Sequence, residues 1–347
     1  MRRSIFIIVL LFAVISPSAA SAAVGPYLKA LYENRADLQA LFDATTYQTK
    51  PEADTATINL EDWARQDGWR EDKKLIFYKP TVKIPTPINN QTGPTVPGSG
   101  YVVIDKASGL IIAEQNAGVP HPIASLTKLM TTDVVLSRNV PLTRKQAITS
   151  ADQVGGSRLG VPVGTKFTVN DLFYAALLPS ANDAANALAD ATGLSRKQFI
   201  AAMNAFAQKL GLNRTAFTDP TGIDEGNVST PYEFALVAKN VFNYSAVRHY
   251  ATTATHVLRE LPSGKKITVK SSDYLLTKPQ YDDVLVVAGK TGYLGADVGW
   301  NLAVDLKSSQ GAPREMIIVI FGAPKMAQIM SDADALANWV WGHYKWQ

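Results

Sequence analysis

The order of strand-like and helical segments after residue 100 constrains the fold more than any other feature of the sequence. Strand-like segments stand at both ends of this region, at Tyr101–Ile104, Leu110–Glu114, Val284–Lys290, Trp300–Leu306 and Glu315–Phe321. Helical patterns lie between them, at Ala124–Arg138, Val169–Leu178, Asp183–Thr192, Arg196–Leu210 and Pro231–Phe242, and a last helix runs from Met326 to Tyr344. Strands so far apart in the chain can share one antiparallel sheet packed by helices. We therefore predict an α+β domain whose functional site lies where the two halves of the chain meet.

The first 22 residues predict export. Arg2 and Arg3 precede an apolar run from Ile5 to Ile15, and Ala20-Ser21-Ala22 is a small-residue cleavage site. A membrane-spanning helix needs about 20 apolar residues, so this run is short for that purpose. We expect cleavage after Ala22 and an extracytoplasmic location, with an uncleaved N-terminal anchor as the alternative.

The rest of the chain divides into three regions. Residues 24–79 have apolar positions with helical spacing and predict a small helical segment. Residues 80–100 contain five prolines among Thr, Asn and Gly, which favours an extended linker over a packed element. Residues 101–347 carry the strands and helices described above and form the main domain.

Composition excludes several classes of function. The chain has no cysteine, so it has no disulfide, thiol nucleophile or cysteine-bound metal. Its four histidines form no H-E-x-x-H pair, which argues against a metal hydrolase of that kind. The formal net charge is +4, two of those positive charges lie within the first 22 residues, and no basic cluster follows. We therefore expect no metal, and no nucleic acid as a partner.

Ser125-Leu126-Thr127-Lys128 is the first motif with chemical meaning. If a helix begins near Ala124, Ser125 and Lys128 share one helix face at positions i and i+3. A serine hydroxyl becomes a nucleophile when a neighbouring base removes its proton, and a lysine amine can be that base if its pKa is lowered. Taken alone, the motif is a weak signal, and a helix-capping serine beside a surface lysine is the favoured interpretation of it.

Two further motifs follow in the chain. Ser180-Ala181-Asn182 comes after Pro179, which ends a helix, and Asn182 can cap the next helix or point into a cleft. Lys290-Thr291-Gly292-Tyr293 ends an apolar strand. Its glycine has no Cβ and would let a substrate backbone approach closely. An ordinary inter-helix turn and an ordinary strand end are the alternatives when each motif is taken alone.

The three motifs in this order, S-x-x-K, S-x-N and K-T-G, are the set found in penicillin-binding proteins and serine β-lactamases. The flanking sequences resemble the low-molecular-mass D-alanyl-D-alanine carboxypeptidases over roughly residues 100–340. The stretches that carry the resemblance are 123–131, 178–185, Pro220-Thr221-Gly222-Ile223 and Asn227-Val228-Ser229-Thr230. The resemblance implies a β-lactamase/transpeptidase-like fold, with a five-stranded antiparallel sheet flanked by helices and an inserted all-helical subdomain. Residues 101–347 would then be the serine D,D-peptidase catalytic domain.

The resemblance also implies roles for individual residues. Ser125 would be the nucleophile, Lys128 its general base, and Ser180 the proton relay to the departing D-alanine. Asn182 would hold the substrate amide, and Lys290 and Thr291 the terminal carboxylate. Backbone N–H groups of Ser125 and Tyr293 would form the oxyanion hole beside Gly292. The expected partners are peptidoglycan stem peptides, with β-lactam antibiotics as inhibitors and with no cofactor.

Three other functions share parts of this pattern. A D,D-endopeptidase uses the same residues to cut peptidoglycan cross-links. A class A β-lactamase needs a glutamate in an E-x-x-L-N segment after the second motif, and none is present. A non-catalytic β-lactam-sensing or wall-binding protein would be expected to have lost Ser125 or Lys128.

Three features depart from the family pattern. The stretch from Tyr293 to Gly299 is one residue longer than usual, which bears on the leaving-group side of the site. Many family members carry a C-terminal β-domain and an amphipathic membrane-anchoring helix, whereas this chain stops after one helix. The aromatic tail of this chain could touch lipid, although we expect it to pack against the sheet, so membrane contact is not required; its members are Trp339, Trp341, Tyr344 and Trp346. Residues 24–79 match no segment of the family.

Overall fold

The structure, a computed structural model, describes residues 83–89, 91–281, 284–308 and 315–346, together with two short strands nearer the N-terminus. The chain divides into two units, Met1–Thr81 and Val82–Gln347. In the first unit, strands β1 (Gln48–Thr49) and β2 (Ala56–Thr57) pair antiparallel. The predicted leader and the helices predicted within residues 24–79 lie outside the described residues.

The second unit contains the elements that build the site. Its strands are β3 (Pro85–Pro87), β4 (Gly100–Asp105), β5 (Ile111–Gln115), β6 (His121–Pro122), β7 (Lys145–Ala147), β8 (Lys166–Thr168), β9 (Val228–Ser229), β10 (Thr255–Arg259), β11 (Lys266–Lys270), β12 (Val284–Tyr293), β13 (Trp300–Ser308), β14 (Glu315–Ala323) and β15 (Tyr344–Trp346). Its helices are α1 (Thr127–Ser137), α2 (Val169–Leu177), α3 (Asn182–Ala191), α4 (Arg196–Lys209), α5 (Pro231–Val241), α6 (Ser245–Ala251), α7 (Tyr274–Thr277), α8 (Gly295–Val298) and α9 (Met326–His343). Short 3-10 turns occur at Ala124–Leu126, Ser150–Asp152 and Pro279–Tyr281.

The main sheet joins the two ends of this unit. Its strand order is β12-β13-β14-β4-β5, and every neighbouring pair is antiparallel. The join is the β14–β4 pair, in which Phe321 lies opposite Gly100 and Met316 opposite Asp105. This five-stranded antiparallel sheet, packed by helices, confirms the predicted α+β fold class.

Alternation along the strands divides the core into two layers. In β4, Val102 and Ile104 pack into the core on the helical side, whereas Tyr101 and Val103 face the C-terminal helix α9. Successive side chains of a strand point to opposite faces, so both faces of this sheet are covered. Double coverage explains why the central strands are continuously apolar in sequence, as in the fully buried run of β14 from Met316 to Phe321.

Helix α1 lies inside the helical layer. Its side chains from Thr127 to Val135 are all buried, including the charged side chains of Lys128 and Asp133. A helix that is enclosed on every side is a core element. The 3-10 turn that precedes it contacts strand β12. This arrangement places the start of α1 beside the edge strand of the sheet.

The segment predicted as an unpacked linker, residues 80–100, differs from that prediction where the structure describes it. Strand β3 pairs with β15 at the other end of the unit. Val96 is buried, and the hydroxyl of Tyr101 donates to the carbonyl of Pro94 over 2.6 Å. Proline tolerates an edge strand because its missing N–H can face solvent. Composition alone could not predict this pairing, because the partner strand β15 is far away in the sequence.

The aromatic tail packs as expected. Trp339, Trp341, Tyr344 and Trp346 all lie against the core between the sheet and α9. In the part of the chain that the structure describes, no helix is both long enough and apolar enough to cross a membrane.

Candidate active site

Ser125 and Lys128 form a hydrogen-bonded pair at the start of α1. Ser125 lies in the 3-10 turn Ala124–Leu126, and Lys128 lies in the first turn of the helix. The Lys128 side chain is fully buried, and its Nζ lies 2.8 Å from Ser125 Oγ. The helix therefore delivers a buried amine directly to a hydroxyl that remains partly accessible.

The Lys128 amine has two further acceptors. Its Nζ lies 2.7 Å from Asn182 Oδ1 and 2.7 Å from the carbonyl oxygen of Thr221. Burial lowers the pKa of Lys128 well below its usual range, and the nearby positive charge of Lys290 lowers the pKa further. Asp219 and Asp183 oppose this shift only in part. The environment thus favours a neutral amine.

A turn built around Asp219 supplies the Thr221 carbonyl. The Asp219 carboxylate accepts backbone hydrogen bonds from Thr221, Gly222 and Asp224, and a side-chain hydrogen bond from Asn227. Burial alone would raise the pKa of Asp219, but these hydrogen bonds to the charged form hold the pKa below its usual value. The turn is therefore fixed by a carboxylate that stays ionised.

Gly222 allows this turn to approach the serine. It adopts φ +83°, and a Cβ built on it would lie 1.8 Å from the carbonyl oxygen of Ala124. Only glycine fits a position that combines left-handed backbone with such close approach.

Two strained residues border the site. Among the described residues, four non-glycine residues have positive φ, and two of them, Asn116 and Asn139, are asparagines, which tolerate this conformation. The other two are Ala124, at φ +50°, and Ser180, at φ +65°. Strain of this kind persists where the surroundings over-determine the backbone, and it concentrates at functional sites.

The second motif lies in the turn between α2 and α3. Asn182 is the first residue of α3, and the N-cap is Ala181, which makes no side-chain capping bond. The capping interpretation of Asn182 is therefore wrong. Its side chain instead spans the site, with Oδ1 on Lys128 and Nδ2 donating to the carbonyl of Gly155 over 2.6 Å.

The third motif lies on the edge strand β12. Lys290 is fully buried, and its Nζ donates to Ser180 Oγ over 3.0 Å and to the carbonyl of Thr291 over 2.7 Å. Burial lowers the pKa of Lys290 to about 7, against the opposing charge of Asp273. Burial likewise raises the pKa of Asp273 to about 6.

Gly292 brings β12 against the turn that carries Ser125. A Cβ built on Gly292 would lie 3.1 Å from Ser125 N and 3.1 Å from the carbonyl oxygen of Ile123. The next side chain, Tyr293, is half exposed and stacks on Trp300 with ring centroids 4.6 Å apart. The longer segment that follows forms the single turn of α8, and the ring of His121 contacts the carbonyl of Val298 over 2.9 Å.

The structure thus brings the predicted site residues into one cluster, in which Lys128 and Lys290 are linked through Asn182 and Ser180. The sequence did not reveal the carbonyl of Thr221, because a backbone acceptor has no residue signature. It also did not reveal Ser272, whose Oγ lies 2.6 Å from Thr291 Oγ1. Among the described residues, no three His, Asp or Glu side chains group closely enough to hold a metal ion.

Comparison with known proteins identifies a family. The model of the D-alanyl-D-alanine carboxypeptidase family matches residues 88–325. A crystal structure of a Streptomyces DD-transpeptidase superposes with a TM-score of 0.66 at 28% identity, covering 73% of this chain and 100% of that chain.

Some curated relatives are named endopeptidases and others are named carboxypeptidases. A D-alanyl-D-alanine endopeptidase of Haemophilus influenzae is 34% identical over 206 residues, 58% of this chain and 68% of that protein. The D-alanyl-D-alanine carboxypeptidase DacF of Bacillus subtilis is 27% identical over 250 residues, 70% of this chain and 62% of that protein. With its match to the family model and its serine-lysine site, this chain belongs to the D-alanyl-D-alanine carboxypeptidase family of serine peptidases.

Proposed function

We propose that this protein removes the terminal D-alanine from peptidoglycan stem peptides through an acyl-enzyme on Ser125. The observation that carries the proposal is the contact between Ser125 Oγ and the fully buried amine of Lys128. A buried lysine with a lowered pKa can act as a general base near neutral pH. Family membership supports peptidoglycan as the substrate and β-lactams as covalent inhibitors.

The three contacts of Lys128 fit a neutral amine. A neutral amine has two N–H donors and one lone pair. It can donate to Asn182 Oδ1 and to the Thr221 carbonyl, and its lone pair can accept the hydroxyl proton of Ser125. As Ser125 Oγ attacks the penultimate D-alanine carbonyl, that proton passes to Lys128 and an ammonium forms among oxygen acceptors.

Ser180 and Asn182 serve the departing group and the substrate backbone. Ser180 Oγ accepts from Lys290 Nζ, so its own hydroxyl proton is free to move toward the leaving nitrogen. A proton relayed from Lys128 through Ser180 completes departure of D-alanine. Asn182 Nδ2 donates one of its two N–H groups to the Gly155 carbonyl, and the second can serve a substrate amide carbonyl.

Lys290 and Thr291 bind the terminal carboxylate in this proposal. A buried cation beside a hydroxyl is a strong carboxylate site, because hydrogen bonds between charged groups are roughly twice as strong as neutral ones. Gly292 lets the substrate lie close to β12, and the backbone N–H groups of Ser125 and Tyr293 stabilise the oxyanion. Removing one such donor typically costs about 10²–10³ in rate. Water then hydrolyses the acyl-enzyme.

Two further parts of the proposal concern location and reaction preference. The charged and apolar pattern of residues 1–22 supports export, with cleavage after Ala22. A relative named as an endopeptidase supports cleavage of cross-links as the second candidate activity. The longer segment after Tyr293 lies on the leaving-group side, where the two reactions differ.

Covalent capture tests the assignment of Ser125. The mature protein and its Ser125→Ala variant are incubated with a β-lactam, and the intact proteins are weighed by mass spectrometry. We expect one adduct on the natural protein, mapped to the peptide that contains Ser125, and none on the variant. An adduct on Ser125→Ala of equal yield would overturn the assignment. Circular dichroism of the variant serves as the control for folding.

A further inference from the structure

Ser272 is a polar residue that the mechanism above does not use. It lies between β11 and α7, and its Oγ lies 2.6 Å from the Oγ1 of Thr291. Among the described residues, Ser272 is the side-chain partner of the Thr291 hydroxyl. Thr291 is nearly fully buried, so its hydroxyl depends on a protein partner or a ligand.

Ser272 also contacts the loop that carries the second motif. Its backbone N–H donates to the carbonyl of Leu178 over 3.1 Å, and its Oγ lies 3.2 Å from the same oxygen. Leu178 is the C-cap residue that follows α2, and it stands two residues before Ser180. Ser272 therefore links the Lys290-Thr291 strand to the Ser180 loop.

The hydroxyl proton of Ser272 can point to either of two acceptors, which gives this contact two states. A hydroxyl donates one proton, so Ser272 can donate either to Leu178 or to Thr291. If Ser272 donates to Leu178, the Thr291 hydroxyl donates to Ser272 and offers no proton to a ligand. If Ser272 donates to Thr291, the Thr291 proton is free to point at a carboxylate. The Leu178 carbonyl loses little in the second state, because it retains the Ser272 N–H.

We propose that Ser272 is a positioning residue that switches its hydroxyl from Leu178 to Thr291 when a substrate carboxylate binds. Through this switch Ser272 acts as a determinant of the preference for a free terminal carboxylate. The proposal rests on the proposed function, because it assigns Thr291 to the carboxylate. Chains of hydrogen bonds polarise one another, so the donated bond strengthens the contact between Thr291 and the anion.

Two substrates separate this role from a structural one. An N-acyl-D-alanyl thioglycolate has the terminal carboxylate, and its methyl ester lacks that charge while keeping the same reactive thioester. For Ser272→Ala we expect kcat/KM on the thioglycolate to fall about tenfold, the typical effect of one hydrogen bond in a charged network. On the methyl ester we expect less than a twofold change. Ser272→Thr keeps the hydroxyl and should restore the preference.

Two further variants sharpen the test. Ser271→Ala removes the neighbouring hydroxyl, which accepts from the N–H of Asp273, and should leave both substrates unchanged. In a Thr291→Val background, Ser272→Ala should have no further effect, because the residue through which it acts is gone. A full additional loss in that background would overturn the proposal.

The remaining outcomes also decide between explanations. Equal losses on both substrates would show that Ser272 has only a structural role. Unchanged kinetics on both substrates would show that Ser272 has no role. If the natural protein hydrolyses neither thioester and captures no β-lactam, the proposed function fails, which is distinct from failure of the Ser272 inference alone.

Discussion

At the scale of single residues, the proposed mechanism depends on the charge of Lys128. The pKa of Lys128 is lowered by burial first and by the charge of Lys290 second. In the proposed mechanism the neutral form is the base, so we expect activity to be lost as the pH falls through this lowered pKa. Removing the neighbouring positive charge weakens one of the two causes and therefore raises the pKa of Lys128.

We expect Lys290→Gln to move the acid limb of the pH-rate profile to higher pH. The measurement is the rate of acylation by a β-lactam across a pH series, with the midpoint rather than the amplitude compared. The amplitude will also fall, because Lys290 contributes to binding. A midpoint that stays in place or moves to lower pH would show that the two lysines are not electrostatically coupled.

We expect Asp273 to influence the opposite limb of the profile. Its carboxyl is fully buried, Oδ1 accepts from the Leu275 N–H, and Oδ2 has no hydrogen-bond partner among the residues that the structure describes. Burial lowers the pKa of Lys290 to about 7, and the Asp273 carboxylate opposes that shift. Removing this charge lowers that pKa further, so Lys290 loses its proton at lower pH.

For Asp273→Asn, which has nearly the same shape, we expect the basic limb of kcat/KM to move to lower pH. The profile of Asp297→Asn is the control, because that carboxylate is exposed on α8. If the basic limb is unchanged in Asp273→Asn, loss of the Lys290 proton is not the cause of that limb. A shift to higher pH would contradict the sign of the interaction.

At the scale of elements, the close approach of two turns holds the nucleophile. The Asp219 turn meets the Ser125 turn where Gly222 contacts the carbonyl of Ala124. For Gly222→Ala we expect the acylation rate constant to fall at least about tenfold and the melting temperature to drop, because the new Cβ displaces the Ala124 carbonyl. The left-handed backbone alone costs an alanine about 1–2 kcal/mol.

Gly193→Ala is the matched control for this variant. Gly193 has φ +77°, and a Cβ built on it would meet nothing within 4 Å. It therefore carries the same backbone strain without the clash, and we expect a lower melting temperature with an unchanged acylation rate. Equal acylation by Gly222→Ala and the natural protein would show that the turn contact does not position Ser125.

The sequence predicted the regular elements of the second unit well. The long helices and central strands have apolar periods that report directly on burial, and the predicted ends of α2, α3, α4 and α5 lie within one residue of the observed ends. Helix α6 was not predicted, and neither were the short pairs β6–β9 and β7–β8. The strands of these pairs are two or three residues long and have no periodicity to detect. Turn contacts such as Thr221 with Lys128 depend on tertiary approach and have no local signal.

At the scale of the whole molecule, a strand pair and side-chain hydrogen bonds connect the two ends of the second unit. Strand β15 pairs with β3, and the indole N–H of Trp346 donates to Asp105 Oδ1 over 2.7 Å. Tyr344 donates its hydroxyl to the Ile112 carbonyl over 3.0 Å. Asp105 is buried at the join between β4 and β14, so the tail stabilises the sheet where its two halves meet.

We expect Trp346→Phe to lower the free energy of unfolding by about 1–3 kcal/mol, because Asp105 loses a donor in a buried position. Chemical denaturation provides the measurement, with the exposed Lys345→Ala as the control. The rate of acylation by a β-lactam should be unchanged, since Trp346 packs on the α9 face of the sheet. A loss no larger than that of Lys345→Ala would contradict this account of the tail.

The preference between two reactions is a property of the whole cleft and requires whole substrates. The mature protein is incubated with a monomeric pentapeptide muropeptide and with a cross-linked dimer, and the products are read by mass spectrometry, with Ser125→Ala as the blank. We expect loss of one alanine from the monomer and an intact dimer. Conversion of the dimer to monomers would instead identify an endopeptidase. If the natural protein changes neither substrate, or if Ser125→Ala changes them equally, the central claim of a serine D,D-carboxypeptidase is wrong.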